Sequence, residues 1–194
     1  MPVNLRIQNN LSKAKQSGNL VRIERELADI DLDWAEGFVL DYNEDFVLVH
    51  RMDDRVLMDG YEILRTLDLY EVENPAPNQE FKEKALELRG QGRRHPDGVD
   101  MTSHKTILQS VCEHYPLVVL YRELEDPDVC EIGRVRAAGD HSCFLDEIDP
   151  DAKWREDVFE LPYFEITRMC FDGAYEQALA MVAGMYPWSG KKNR

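Results

Sequence analysis

The segment Val21-Arg-Ile-Glu-Arg-Glu-Leu27 recurs as Val118-Val-Leu-Tyr-Arg-Glu-Leu124, and the likeness continues downstream in the same order. Gly37-Phe-Val-Leu40 answers to Gly133-Arg-Val-Arg136, and Asp53 to Asp149. Tyr61-Glu-Ile-Leu-Arg65 matches Phe164-Glu-Ile-Thr-Arg168 once an insertion, Asp149–Glu156, is allowed in the second copy. A unit written twice restricts the fold more than any composition does: whatever one copy forms, the other must form too, and copies this short need a neighbour to complete a core. The division expected is a first unit over 1–73, a linker over 74–102 and a second unit over 103–194. Asn74-Pro-Ala-Pro-Asn78 marks the boundary, and a helix over Glu80–Arg89 lies within the linker.

Each copy reads as a short helix followed by about five short strands. Ile7, Leu11 and Ala14 share one helical face, as do Ile107, Leu108, Val111, Cys112 and Tyr115, with Ser103 placed to cap the second helix and Pro116 to end it. Strands follow over Leu20–Leu27 and Leu117–Leu124, then Gly37–Tyr42 turning into Phe46–Arg51. Asn43 and Gly139 occupy the turns, where residues tolerant of positive φ suit a tight hairpin. Gly37 and Gly133 suit a sharp bend or a close approach of two backbones. The strands Arg55–Met58 and Tyr61–Arg65 are split by Asp59-Gly60, and Leu161-Pro162 stands at the matching place, so a bulge or corner is expected there. A helix over Ala174–Met185 and a basic tail close the chain.

A helix followed by five short bent strands with a glycine in the second resembles the Sm-like small β-barrel, a relative of SH3-like barrels. The resemblance implies a mainly β fold with flanking helices, α+β in class, built as two tandem five-stranded barrels, each preceded by a short helix. Sm-like proteins assemble through edge strands and bind single-stranded RNA, so the resemblance also implies pairing of the barrels with each other or between chains. The base-contacting positions depart from the family: Val47 and Cys143 stand where its Asn lies, and Asn43 and Gly139 where its Asp lies. Arg65 and Arg168 fall near the family's Arg, followed by Thr66 and Met169 in place of its Gly.

Charge argues against polyanionic partners. The formal net charge is −15, with 16 acidic against 8 basic residues over 1–73, six of each over 74–116, and 16 against 9 over 117–194. Nucleic-acid affinity rests largely on neutralising phosphates, which both repeats would repel. If RNA binds at all, the linker residues Arg89, Arg93 and Arg94 are where it is expected. No apolar run approaches the roughly 20 residues of a membrane span, and Met1-Pro-Val-Asn-Leu-Arg6 is too polar to begin a secretory segment, so a cytoplasmic location is expected.

Catalytic and metal signatures fail on geometry. Asp29-Ile-Asp-Leu-Asp33 alternates like a calcium loop, but Trp34 stands where Gly is needed and Leu40 where a bidentate Glu is needed. Cys112 and His114, two apart on a helix, do not face each other, and Cys112 belongs to the apolar stripe. Asp140-His-Ser142 lacks a nucleophile elbow, and His95 and His104 read as solvated linker histidines. The four cysteines form no C-x-x-C pair, which suits free, half-buried thiols; no metal and no cofactor is expected. The polar feature common to both copies is Glu62/Arg65 and Glu165/Arg168, candidate binding residues that, three apart on a strand, must each find a separate partner. The reading reached is a non-enzymatic binding or regulatory protein engaging a protein partner or itself. An RNA-binding Sm-like protein and an acidic immunity-type protein that neutralises a basic toxin are the alternatives.

Overall fold

The computed structural model describes residues 5–27, 33–184 and 186–187. The acidic turn considered above as a calcium loop lies almost wholly outside them, as does most of the basic tail. The elements in order are α1 (Leu5–Ser17), β1 (Leu20–Arg25), β2 (Asp33–Tyr42), β3 (Phe46–Met52), β4 (Met58–Arg65), a 3-10 turn (Thr66–Asp68), β5 (Leu69–Glu73), α2 (Gln79–Leu88), α3 (His104–His114), β6 (Val118–Tyr121), β7 (Cys130–Ala138), β8 (Ser142–Ile148), β9 (Trp154–Pro162), a second 3-10 turn (Tyr163–Glu165), β10 (Arg168–Phe171) and α4 (Ala174–Ala183).

The fold is α+β: four helices and one open, antiparallel ten-stranded sheet in the order β5-β1-β2-β3-β4-β10-β6-β7-β8-β9. The expected pair of closed barrels is not formed. Each copy contributes the same five-strand order, and the halves join where β10 pairs with β4, setting Met169 opposite Ile63 and Phe171 opposite Tyr61. Burial explains the fusion. Val118 and Leu120 of β6 are fully buried, and β6 meets β10 on one side and β7 on the other, so neither edge of this apolar strand is left open.

Each half is curled rather than flat. In the first, β4 and β5 sit at opposite ends of the five-strand order, about 19 Å apart if the strands lay in a plane at ~4.8 Å spacing. The chain from Arg65 to Leu69 reaches about 14 Å at most, so the sheet must bend to bring its ends together. The connecting turn is bonded on both sides: Thr66 N donates to Asp45 O at 2.8 Å, and Glu26 N donates to Asp68 O at 2.9 Å. Tyr163 N to His141 O and Thr167 N to Tyr121 O, both 2.9 Å, fasten the second half.

The glycines at the bends are there because nothing larger fits. A Cβ on Gly37 would lie 2.2 Å from His50 O, and one on Gly133 would lie 2.1 Å from Asp146 O. Gly133→Ala should therefore destabilise the protein by about 2–3 kcal/mol, a fall of roughly 5–10 °C in melting temperature for a domain of this size. Gly92, with nothing within 4 Å of its Cβ position, supplies the control. Equal melting temperatures for the two alanine variants would show that the backbone gives way there.

Register corrects how the copies align. Leu64 pairs with Val47, and Leu161 pairs with Cys143, so Tyr61–Arg65 corresponds to Val158–Pro162 and not to Phe164–Arg168. Glu165 then corresponds to Asp68, and Arg168 to Glu71. The expected insertion at Asp149–Glu156 also disappears. Asp53 N bonds Leu57 O and Asp149 N bonds Lys153 O, and Val56 (φ 58°) and Ala152 (φ 59°) occupy the same left-handed position. The second copy gains only one residue, in a bulge: Asp59-Gly60 lies opposite Arg51, whereas Arg155–Asp157 lies opposite Glu147. Of the bulge or corner expected at Leu161-Pro162, no bulge forms, since the ladder is continuous there. The strand ends at Pro162, where the chain turns into the second 3-10 segment. The hairpin turns at Asn43 and Gly139 form without positive φ. Asn43 instead accepts the amides of Asp45 and Phe46 on its side-chain oxygen, each at 2.8 Å.

Two cores result. One lies inside the first half, where Ile7, Leu11 and Ala14 of α1 meet Val21, Ile23, Val39, Val47, Val49 and Leu64. The other joins the opposite face of that half (Phe38, Leu40, Leu48, Tyr61, Ile63) to Leu86 of the linker and to α3 and the second half through Leu108, Val118, Leu145 and Phe171. Both faces of β2 and β3 are consequently covered, and Ala35–Leu40 and Phe46–His50 are buried without interruption. Arg155–Glu160 of β9 is exposed throughout.

Candidate binding site

Where the halves meet, charge is buried with the apolar core. Arg25, at the end of β1 and only 1% exposed, grips Glu123 with two bonds, Nη1 to Oε2 at 2.9 Å and Nη2 to Oε1 at 2.7 Å, and also bonds Asp33. Arg168 Nη2 reaches the same Glu123 Oε1 at 2.6 Å, while its Nη1 lies 3.3 Å from Glu62 Oε1 and 3.4 Å from Asp33 Oδ2. The Thr167 hydroxyl donates to Glu123 Oε2 at 2.6 Å, and the Arg168 guanidinium stacks 4.0 Å over the Tyr121 ring. Burial opposes the Glu123 carboxylate, but the bonds from Arg25 and Thr167 and the charge of Arg168 outweigh it and hold its pKa below the usual carboxylate range. Burial likewise opposes the Arg168 cation, which Glu62 and Glu123 nonetheless stabilise.

The candidate residues from the sequence divide here. Glu62 and Arg168 come together across the β4–β10 junction. Arg65 turns to Asp68, Nε to Oδ2 at 2.6 Å, and Glu165 takes Arg122 at 3.2 Å. The linker arginines hold the first half: Arg89 Nη1 donates to Val56 O at 2.6 Å, Arg93 Nη1 to Lys15 O at 3.4 Å, and the Arg94 backbone amide to His50 Nδ1 at 3.1 Å. His104 is not the solvated histidine expected. It stacks on Tyr163 at 5.4 Å and meets Phe46 edge-on at 4.8 Å, and burial lowers its pKa to about 4. Arg25 and Glu123 escaped the sequence reading because they stand at unequal positions of the two copies: Arg25 matches Arg122, and Glu123 matches Glu26.

Glu62 also lines an open pocket of about 370 Å³ formed with Asp33, Trp34, Ala35, Glu36, Arg51, Met52, Asp53 and Asp54. Most of its charges are already committed. Glu36 is held by Arg22 at 2.8 Å and Lys82 at 2.5 Å, Asp53 by Arg55 at 2.6 Å, and Arg51 by Asp59 at 2.5 Å. Glu62 is 1% exposed, and its Oε2 has no hydrogen-bond partner. Trp34, 46% exposed, stands on the same wall. Asp54 is the exposed acid of this wall, and with the Trp34 ring beside it and the charge of Glu62 behind it the arrangement suits a cationic group.

Among the described residues, no group of three or more His, Cys, Asp and Glu side chains is disposed to hold a metal, and no helix is long and apolar enough to cross a membrane. Burial raises the pKa of all four thiols, that of Cys143 to about 12, so none is an activated thiolate at neutral pH. No family model, curated protein or solved structure matches the chain.

Proposed function

We propose that this is a non-enzymatic binding module, Sm-like in descent, whose partner is a protein that places a lysine or arginine in the pocket between Trp34, Asp54 and Glu62. The observation that carries the reading is an open cavity whose wall combines the exposed Trp34 ring with the carboxylates of Asp33, Asp54 and Glu62. The excess of carboxylates over both repeats supports it, since that field draws basic partners and repels phosphate backbones. A basic toxin held by an acidic immunity-type protein is one form such a partner takes. RNA binding is the weaker reading, because Arg89 and Arg93 are turned to the protein's own backbone.

Affinity capture from a native lysate, run with and without nuclease, tests this against a Trp34→Ala/Asp54→Lys variant. Neither residue is part of the buried charge cluster, so the variant should fold. The expected result is a nuclease-resistant protein partner whose recovery falls at least tenfold with the variant. Recovery of RNA, or capture indifferent to the two substitutions, would overturn the proposal.

A further inference from the structure

The sheet ends on two edges of different character. At β5 the edge is short and covered: Asn10 of α1 donates from Nδ2 to Val72 O at 3.2 Å, and Arg6 of the same helix pairs with Glu71. At β9 nine residues run from Trp154 to Pro162 with proline only at the last position, and among the described residues no strand pairs with the outer side of residues 155–161. Val158 and Phe159 stand 37% and 38% exposed on this strand, with Phe144 of β8 at 37% beside them. A long edge with exposed apolar side chains offers a row of backbone donors and acceptors to another strand.

We propose that the β9 edge docks an extended, basic segment of a partner protein, which adds as a further antiparallel strand. The molecule contains a precedent in its own junction. β9 is the fourth strand of the second copy, and the fourth strand of the first copy, β4, has its outer edge filled by β10, which brings Arg168 to Glu62. The free edge carries Glu156, Asp157 and Glu160, while its one cation, Arg155, is turned to Glu147 at 3.2 Å. A second copy of this chain is a poor occupant. Its β5 edge is covered by α1 and carries Glu71 and Glu73, and its β9 edge repeats the same acids, so either pairing sets like charges opposite one another.

Strand pairing fixes the pattern of the occupant. Phe159 lies opposite buried Leu145, whereas Val158 and Glu160 lie opposite Asp146 and Phe144 on the other face. The incoming strand therefore places apolar residues on the Phe159 face, and lysine or arginine on the face of Val158 and Glu160. The surface shares no residue with the Trp34 pocket, so the two proposals stand or fall separately.

A fluorescent nonapeptide alternating lysine with valine is the probe, and one alternating glutamate with valine is its control. Binding is followed by anisotropy, and its location by amide hydrogen exchange in the full chain. The lysine peptide should bind and slow exchange within residues 155–161. It should weaken at least tenfold against Glu156→Gln/Asp157→Asn/Glu160→Gln, and bind the Trp34→Ala/Asp54→Lys variant unchanged. Loss of binding to that pocket variant would assign the peptide to the pocket and overturn the edge proposal. So would absence of binding, protection elsewhere, equal binding of the glutamate peptide, or equal binding by the neutralised strand; the acids would then serve only to keep the edge from aggregating.

Discussion

Arg25→Ala should lose about 3–5 kcal/mol of stability, the usual result of removing one member of a buried ion pair. The side chain is 1% exposed and serves two carboxylates, Glu123 by a two-bond grip and Asp33. Its loss removes one of the cations that Glu123, Glu62 and Asp33 share with Arg168 and, at Glu62, with Arg51. Arg168 and Thr167 still bind Glu123, which places the expected loss toward the lower end of that range. The apolar double variant Arg25→Met/Glu123→Leu should recover most of it, since it removes the desolvation of both ions together. Chemical denaturation of the wild type, Arg25→Met, Glu123→Leu and the double variant forms a cycle in which the coupling is read directly. Additive losses with no recovery would mean that the pair contributes packing but little electrostatic coupling.

Acidification from pH 7 to about 4.5 should destabilise the native state through His50 and His104. Burial is the main reason both have pKa values lowered to about 4, assisted by Arg94 and His95 at His50 and by Arg65 at His104, where Asp45 works the other way. An unfolded histidine titrates near 6.5. Between the two values the unfolded chain binds protons that the native protein refuses, so stability is full above about pH 6.5 and falls as pH drops toward 4. The loss should be on the order of 2 kcal/mol for each histidine. Acid also relieves the self-repulsion of a chain with net charge −15, which acts in the opposite direction and is screened by about 0.15 M salt. His104→Phe should keep the stacking on Tyr163 and remove close to half of the slope. A pH dependence of the denaturation midpoint that is the same in the wild type and His104→Phe would show that His104 does not contribute to the slope.

The local elements were legible in the chain because each depends on neighbours in sequence. α3 begins where Ser103 and Thr106 form a reciprocal cap, and the apolar stripe of α1 is the face it buries. Gly37 and Gly133 announced a close backbone approach, and their Cβ positions fall on carbonyl oxygens. The two halves that the repeated pattern marks off have the same strand order. The alignment of the copies failed in the second half, where the likeness of Tyr-Glu-Ile-Leu-Arg to Phe-Glu-Ile-Thr-Arg outweighed a register that only cross-strand bonding fixes.

Tertiary structure alone decided how the copies combine and where charge is buried. Repeated local pattern does not say whether a curled five-stranded sheet closes on itself or passes its edge to a neighbour, because each leaves the same residues facing inward. The β4–β10 ladder made that choice, and it brought Glu62 to Arg168 across more than a hundred residues of chain. No spacing in the sequence could have revealed the Arg25–Glu123 grip, because it joins residues at unequal positions of the two copies through a bend of the sheet. The sequence determined what each half is made of. The shared edge determined which carboxylates are satisfied across the junction and which, like Glu62 Oε2, are left without a hydrogen bond.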